Sequence, residues 1–144
     1  EREGEEAEGK NKRELEVLDA CDALGEACNE VMNFRDARRY LKRAKEGYEA
    51  KLGPDSERAL EATYSLIIST DMEEVDRIVI LSSLVENMAG ALGEENIVTL
   101  DALHTLGVRL REYGGVGLGL VEEYEEARKV FERCLAGQEK VLGE

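Results

Sequence analysis

The chain has 144 residues, with 33 Asp and Glu against 19 Lys and Arg, a formal charge of −14. That length allows one domain or one short repeat array, and the acidity argues against a nucleic-acid or anionic-membrane partner. An apolar content of 42% with 5% aromatics and one Pro excludes a wholly disordered chain and disfavours a β-sandwich or barrel.

Residues 1–10 (EREGEEAEGK) carry two glycines and almost no apolar side chains, which predicts a frayed acidic lead-in. From Asn11 the pattern is helical. Leu15, Leu18, Cys21, Leu24, Cys28 and Val31 recur at spacings of three and four. After a break near Asn33, Phe34, Ala37, Tyr40, Leu41, Ala44 and Tyr48 form a second amphipathic helix. It stops at Leu52-Gly53-Pro54, a Gly cap followed by a residue that cannot continue a helix. Asp55 or Ser56 can cap a third helix at 56–70. A fourth is expected at 73–91, a fifth at 96–113 and a sixth at 122–142, with a glycine loop over 114–121. No stretch alternates with period two. The expected fold is all-α, six helices in three hairpins.

The hairpins repeat. Leu-Gly closes each second helix, at 52–53, 92–93 and 142–143. Leu24, Gly25, Cys28, Ala37, Leu41 and Ala44 have counterparts in Leu106, Gly107, Leu110, Ala127, Phe131 and Cys134 once the glycine loop is removed. The middle copy (Leu66, Ile67, Thr70, Arg77, Leu81, Leu84) departs at Arg77, where a small residue is wanted so that two helices can approach closely. On these residues the chain resembles the tetratricopeptide repeat family. Its long second helices, as in YEEARKVFERCLAGQEKVLGE and EGYEAKLGPDSERAL, are similar to the kinesin light chain type. The resemblance implies a right-handed α-solenoid with repeat units 15–53, 56–93 and 96–143, making one array over 11–144. It also implies a concave face for a protein or peptide partner, with no catalysis and no cofactor.

By that register the groove positions are Asp19, Asp22, Glu26, Asn29 and Glu30, then Glu61, Tyr64, Ile68, Asp71 and Met72, then Asp101, His104, Val108, Arg111 and Glu112. Eight of the fifteen are acidic, which points to a basic segment with one apolar anchor; the alternative is a solvated face of an acidic protein. Kinesin light chain repeats grip a peptide backbone with paired Asn. The matching pairs here, Asp22-Ala23, Tyr64-Ser65 and His104-Thr105, contain none, and that grip is not carried over.

His104 is the sole histidine and has no ligand partner at metal spacing. Cys21, Cys28 and Cys134 suggest neither a disulfide framework nor a redox pair, which favours an intracellular, cytoplasmic setting, with the chain read as a fragment whose upstream targeting signal is open. The Gly114–Gly119 run follows a helix and lacks the Lys-Ser/Thr of a phosphate loop. Its Val116, Leu118 and Leu120 are candidate contacts to a partner or to a second copy, so a structural subunit of a homo-oligomer or larger assembly is the second functional reading. No apolar run is long enough to insert in a membrane.

Overall fold

A computed structural model describes residues 2–115 and 121–143. These form six α-helices: α1 (Arg2–Glu30), α2 (Phe34–Leu52), α3 (Glu57–Ser69), α4 (Glu74–Leu92), α5 (Ile97–Gly115) and α6 (Val121–Gly143). No strand occurs among the described residues. The all-α class and the six helices follow the sequence expectation.

The ends of the helices are set by the residues that mark them. Met32 takes a left-handed φ of 61° and breaks the chain after α1. Asn33 then caps α2, its side chain accepting from the Asp36 N–H at 3.3 Å and donating to the Asp36 carboxylate at 2.9 Å. Of the two expected caps for α3, Ser56 serves, its Oγ accepting from the Ala59 N–H at 3.3 Å. Asn96 accepts from the Val98 N–H at 2.8 Å at the start of α5. Gly53 and Gly93 follow α2 and α4 with φ of 98° and 95°, a region that L side chains rarely adopt.

Two boundaries differ from the sequence reading. The lead-in expected to fray is helical from Arg2, because Lys51 of α2 is ion-paired with Glu14 and donates to Asn11 Oδ1 at 2.9 Å. With α1 anchored there, extending it backwards through Glu and Ala, with Glu3 and Glu5 in the first turn, requires no new nucleus. Gly114 and Gly115, expected in the loop, complete α5, and Val121 opens α6. Val116, Leu118 and Leu120 lie outside the described residues.

The chain divides into two compact units, residues 1–70 and 71–144. The division falls between α3 and α4, inside the second expected repeat. In the first unit α2 packs on α1 and α3. Its core holds Leu18, Cys21, Ala44, Tyr48, Ala59 and Ala62, with Leu15 against it. Only Leu18, Cys21 and Gly25 of α1 are buried, a stripe narrower than the sequence suggested, and Leu24 and Val31 are exposed. In the second unit α5 packs on α4 and α6. Leu81, Val85 and Met88 of α4 and Ala102, Leu103 and Leu106 of α5 are buried there, with Ala127 and Cys134 of α6.

Arg77, where the middle copy departs from the repeat pattern, is paired by charge within the second unit. Its guanidinium lies 2.7 Å from Glu74 Oε2, and Arg109 of α5 reaches Glu74 Oε1 at 3.1 Å. One carboxylate at the start of α4 thereby serves two arginines, one of them on the neighbouring helix.

Candidate partner-binding surface

Helices α1 and α3 carry the acidic positions of the first unit. Asp19, Asp22 and Glu26 are spaced three and four apart on α1 and so share one face. Asp19 is exposed and held: the Tyr48 O–H donates to its carboxylate, and Arg58 of α3 lies 3.7 Å from Asp19 Oδ1 while its guanidinium sits 6.0 Å from the Tyr48 ring centre. Burial and the nearby Asp19 push the Tyr48 hydroxyl pKa up. Asp22 is half-buried, and its Oδ1 has no hydrogen-bond partner among the described residues. Desolvation, followed by the charges of Glu26, Glu61 and Asp19, raises its pKa to about 6. Glu61 stands on α3, so the two helices bring four carboxylates into one electrostatic neighbourhood. Asn29 is half-buried one turn further on, Glu30 is exposed, and Tyr64 and Ile68 are half-buried on α3.

The raised pKa has a direction. A carboxyl that titrates near 6 in the fold and near 3.8 outside it favours folding when protonated, so its ionisation costs stability as pH rises through that window. Asp22→Asn removes that cost. With the group half open to solvent and its interactions screened, the expected gain is about 1 kcal/mol at pH 7.5, shrinking towards zero at pH 4. Urea midpoints of the two proteins at both pH values check this; equal gains at both would remove the charge explanation.

Within the second unit, Asp101, His104, Arg111 and Glu112 are exposed on α5 and Val108 is half-buried. His104 and Arg111, two turns apart, flank one aromatic ring of α6: the His104 and Phe131 centroids are 5.8 Å apart at 66°, and the Arg111 guanidinium is 5.9 Å from the Phe131 ring centre. The sequence marks Phe131 as a packing residue and gives no sign of its contact with His104 and Arg111. Asp71 and Met72, groove positions by the repeat register, lie in the connection after α3, which ends at Ser69.

Cys134 donates from its thiol to the Leu100 carbonyl at 3.5 Å, and burial pushes that thiol's pKa up, which disfavours a nucleophilic thiolate. Among the described residues no group of three His, Cys, Asp or Glu is placed to hold a metal ion. No described helix is long and apolar enough to cross a membrane.

The helix pairs α1–α2 and α5–α6 cross in the same reciprocal way. A Cβ on Gly25 would lie 2.6 Å from Leu41, and one on Gly107 would lie 2.7 Å from the Phe131 ring. In return, a Cβ on Gly47 would run into the Leu18 side chain, and one on Gly137 would lie 2.6 Å from Leu100. Positions 18 and 25 map to 100 and 107 by one offset, and 41 and 47 map to 131 and 137 by another that differs by the inter-helix insertion. Each first helix therefore presents a Gly to a large side chain of the second, and the reverse holds one contact further along. Residues 118–144 match the Tetratricopeptide repeat family model. Neither the curated proteins nor the solved structures compared with the chain give a match. The match covers α6, and the α5–α6 pair has the close crossing that a tetratricopeptide repeat uses. Tetratricopeptide repeats generally mediate protein–protein interaction.

Proposed function

We propose that the chain is a non-catalytic protein-interaction module of long, kinesin light chain-like repeats, and that its first unit docks a basic peptide segment along α1 and α3. The observation that carries this is the crowding of Asp19, Glu26 and Glu61 around half-buried Asp22, where desolvation first and then the repulsion of those charges raise its pKa. A Lys or Arg from a partner relieves that repulsion, and half-buried Tyr64 and Ile68 on α3 offer an apolar seat beside it. Binding then releases a proton near pH 6, because the incoming cation lowers the Asp22 pKa.

The test is fluorescence anisotropy with a Lys/Arg-rich peptide bearing one Leu, against a matched Glu-rich peptide. The basic peptide binds, weakens as salt rises, and loses at least tenfold in affinity against Asp19→Asn/Asp22→Asn/Glu26→Gln. Equal affinity for the Glu-rich peptide, or an unchanged affinity for the triple variant, refutes the reading.

A second reading, a structural subunit working through homo- or hetero-oligomeric contacts, has one observation in its favour. Leu135, Val141 and Leu142 of α6 are exposed, Leu142 at 86%. Concentration-dependent mass in sedimentation that disappears in Leu135→Ser/Leu142→Ser supports it; a single monomeric mass at all concentrations refutes its homo-oligomeric form.

A further inference from the structure

The second unit carries a surface feature that the α1–α3 reading does not use. Since α5 packs on both α4 and α6, it floors the space between them. A cavity of about 350 Å³ opens there. One wall is apolar, made of Val75, Ile78 and Val79 of α4, and Leu110 of α5 lines the same cavity. The other wall is acidic, made of Glu122, Glu123 and Glu126 of α6. A second cavity, of about 410 Å³, shares Leu110 and Glu126 and extends along α4 as far as Glu86. From position 75 to position 86 a helix rises about 16 Å, three turns, so the two cavities form one trough of that length.

Its surface chemistry selects the occupant. Val79 is 60% exposed and Val75 47%, an outlay of apolar area on a helix that already commits Leu81, Val85 and Met88 to the core. No Lys or Arg lines the first cavity, whereas three carboxylates do. Glu123 Oε2 is buried with no hydrogen-bond partner among the described residues. The cations of the second cavity are engaged: Lys129 lies 3.4 Å from Glu126, and Arg133 donates from Nε to Glu94 at 2.9 Å and pairs with Glu86. A guest must therefore supply apolar groups to one wall and positive charge to the other.

We propose that this trough docks an amphipathic helix of a partner protein, its apolar stripe on Val75, Ile78, Val79 and Leu110 and its Lys or Arg residues against Glu122, Glu123 and Glu126. An α-helix fits because apolar residues at i, i+3, i+4 and i+7 line one face over the three turns available, with the charged flank turned to α6. The surface lies on α4 and α6, the second helices of their repeats, and so is separate from the acidic face of α1 and α3.

The experiment uses the whole chain and a synthetic 15-residue helix with Leu at i, i+3, i+4 and i+7 and Lys on one flank. Two controls replace the Lys by Glu or the Leu by Ser. The Lys peptide binds, and both controls bind at least tenfold more weakly. Val75→Glu/Val79→Glu weakens the Lys peptide at least tenfold, although it adds two negative charges that strengthen any unspecific attraction to a cationic peptide. Both valines are exposed, and an unchanged circular dichroism spectrum verifies the fold of that variant. Asp19→Asn/Asp22→Asn/Glu26→Gln leaves this affinity unchanged, which separates the trough from the α1–α3 surface. Equal binding of the Glu control, an unaltered affinity for the double-valine variant, or an equal loss with the triple variant overturns the proposal. So does self-association that Val75→Glu/Val79→Glu abolishes, since a second copy then occupies the trough.

Discussion

Tyr48→Ala is expected to destabilise the α1–α3 unit by about 4 kcal/mol, and Tyr48→Phe by about 1 kcal/mol. The ring is 1% exposed and packs with Leu18, Cys21, Ala44, Ala59 and Ala62, most of them small side chains that cannot swing in to fill the space it vacates. Truncation to Ala therefore leaves a cavity whose cost adds to the lost burial. The hydroxyl is a smaller matter. It donates to Asp19, a partly exposed carboxylate that water can solvate once the donor is gone. The two substitutions thus separate packing from hydrogen bonding at one position. Urea unfolding followed by circular dichroism, with hydrogen exchange read in α1–α3, measures both. If Ala costs no more than Phe, the ring is not the centre of that core.

Sequence periodicity located most helix ends because the residues that end a helix act locally. Gly53 and Gly93 take the positive φ that few other residues tolerate, and Ser56 and Asn33 satisfy the first free N–H groups. The close crossings were legible for the same reason: Gly25 and Gly107 are small where the facing helix brings Leu41 and Phe131. What local pattern cannot carry is pairing between distant residues. Residues 2–10 look disordered by composition, yet they are the N-terminal part of a helix that Lys51 anchors from 37 positions away at Glu14. The Glu74 carboxylate that Arg77 and Arg109 share likewise joins residues 35 positions apart. The groove positions divide in the same way. Asp19, Glu26 and Glu61 lie close enough for their charges to act on Asp22. Asp71 and Met72 are not on a helix, because Thr70 to Glu73 form the connection to α4 and the repeat register carries no information there. The link from Tyr48 to Asp19 and the ring of Phe131 beneath His104 and Arg111 depend on which face of the second helix meets the first, a fact of tertiary packing.

Gly137→Ala is the test of how tightly the α5–α6 pair closes. An added methyl there lies 2.6 Å from Leu100 Cδ2 and 2.9 Å from the Glu94 backbone carbonyl. The Leu100 side chain can turn away, but the carbonyl belongs to the turn that carries Gly93 at positive φ and leads into the Asn96 cap of α5. The helix has to retreat instead, and that retreat draws Arg133, one turn away, from Glu94, which its Nε meets at 2.9 Å. Ala is intrinsically better than Gly inside a helix by about 1 kcal/mol, so the overpacking must exceed that gain to show at all. A net loss of about 2 kcal/mol is expected, a fall in melting temperature of roughly 5 °C. Gly90→Ala is the control within the same unit. Nothing lies within 4 Å of its added methyl, and the gain in helix propensity, about 0.5 kcal/mol near the end of α4, appears unopposed. Gly107→Ala falls between them, because its added methyl meets the half-buried Phe131 ring at 2.7 Å, and a ring can swing where a backbone carbonyl cannot. That swing moves the platform under His104 and Arg111, so a changed His104 ring signal in NMR should accompany a small loss of stability. If Gly137→Ala instead stabilises the protein as Gly90→Ala does, α5 and α6 are not in the close contact that Gly107 and Gly137 permit.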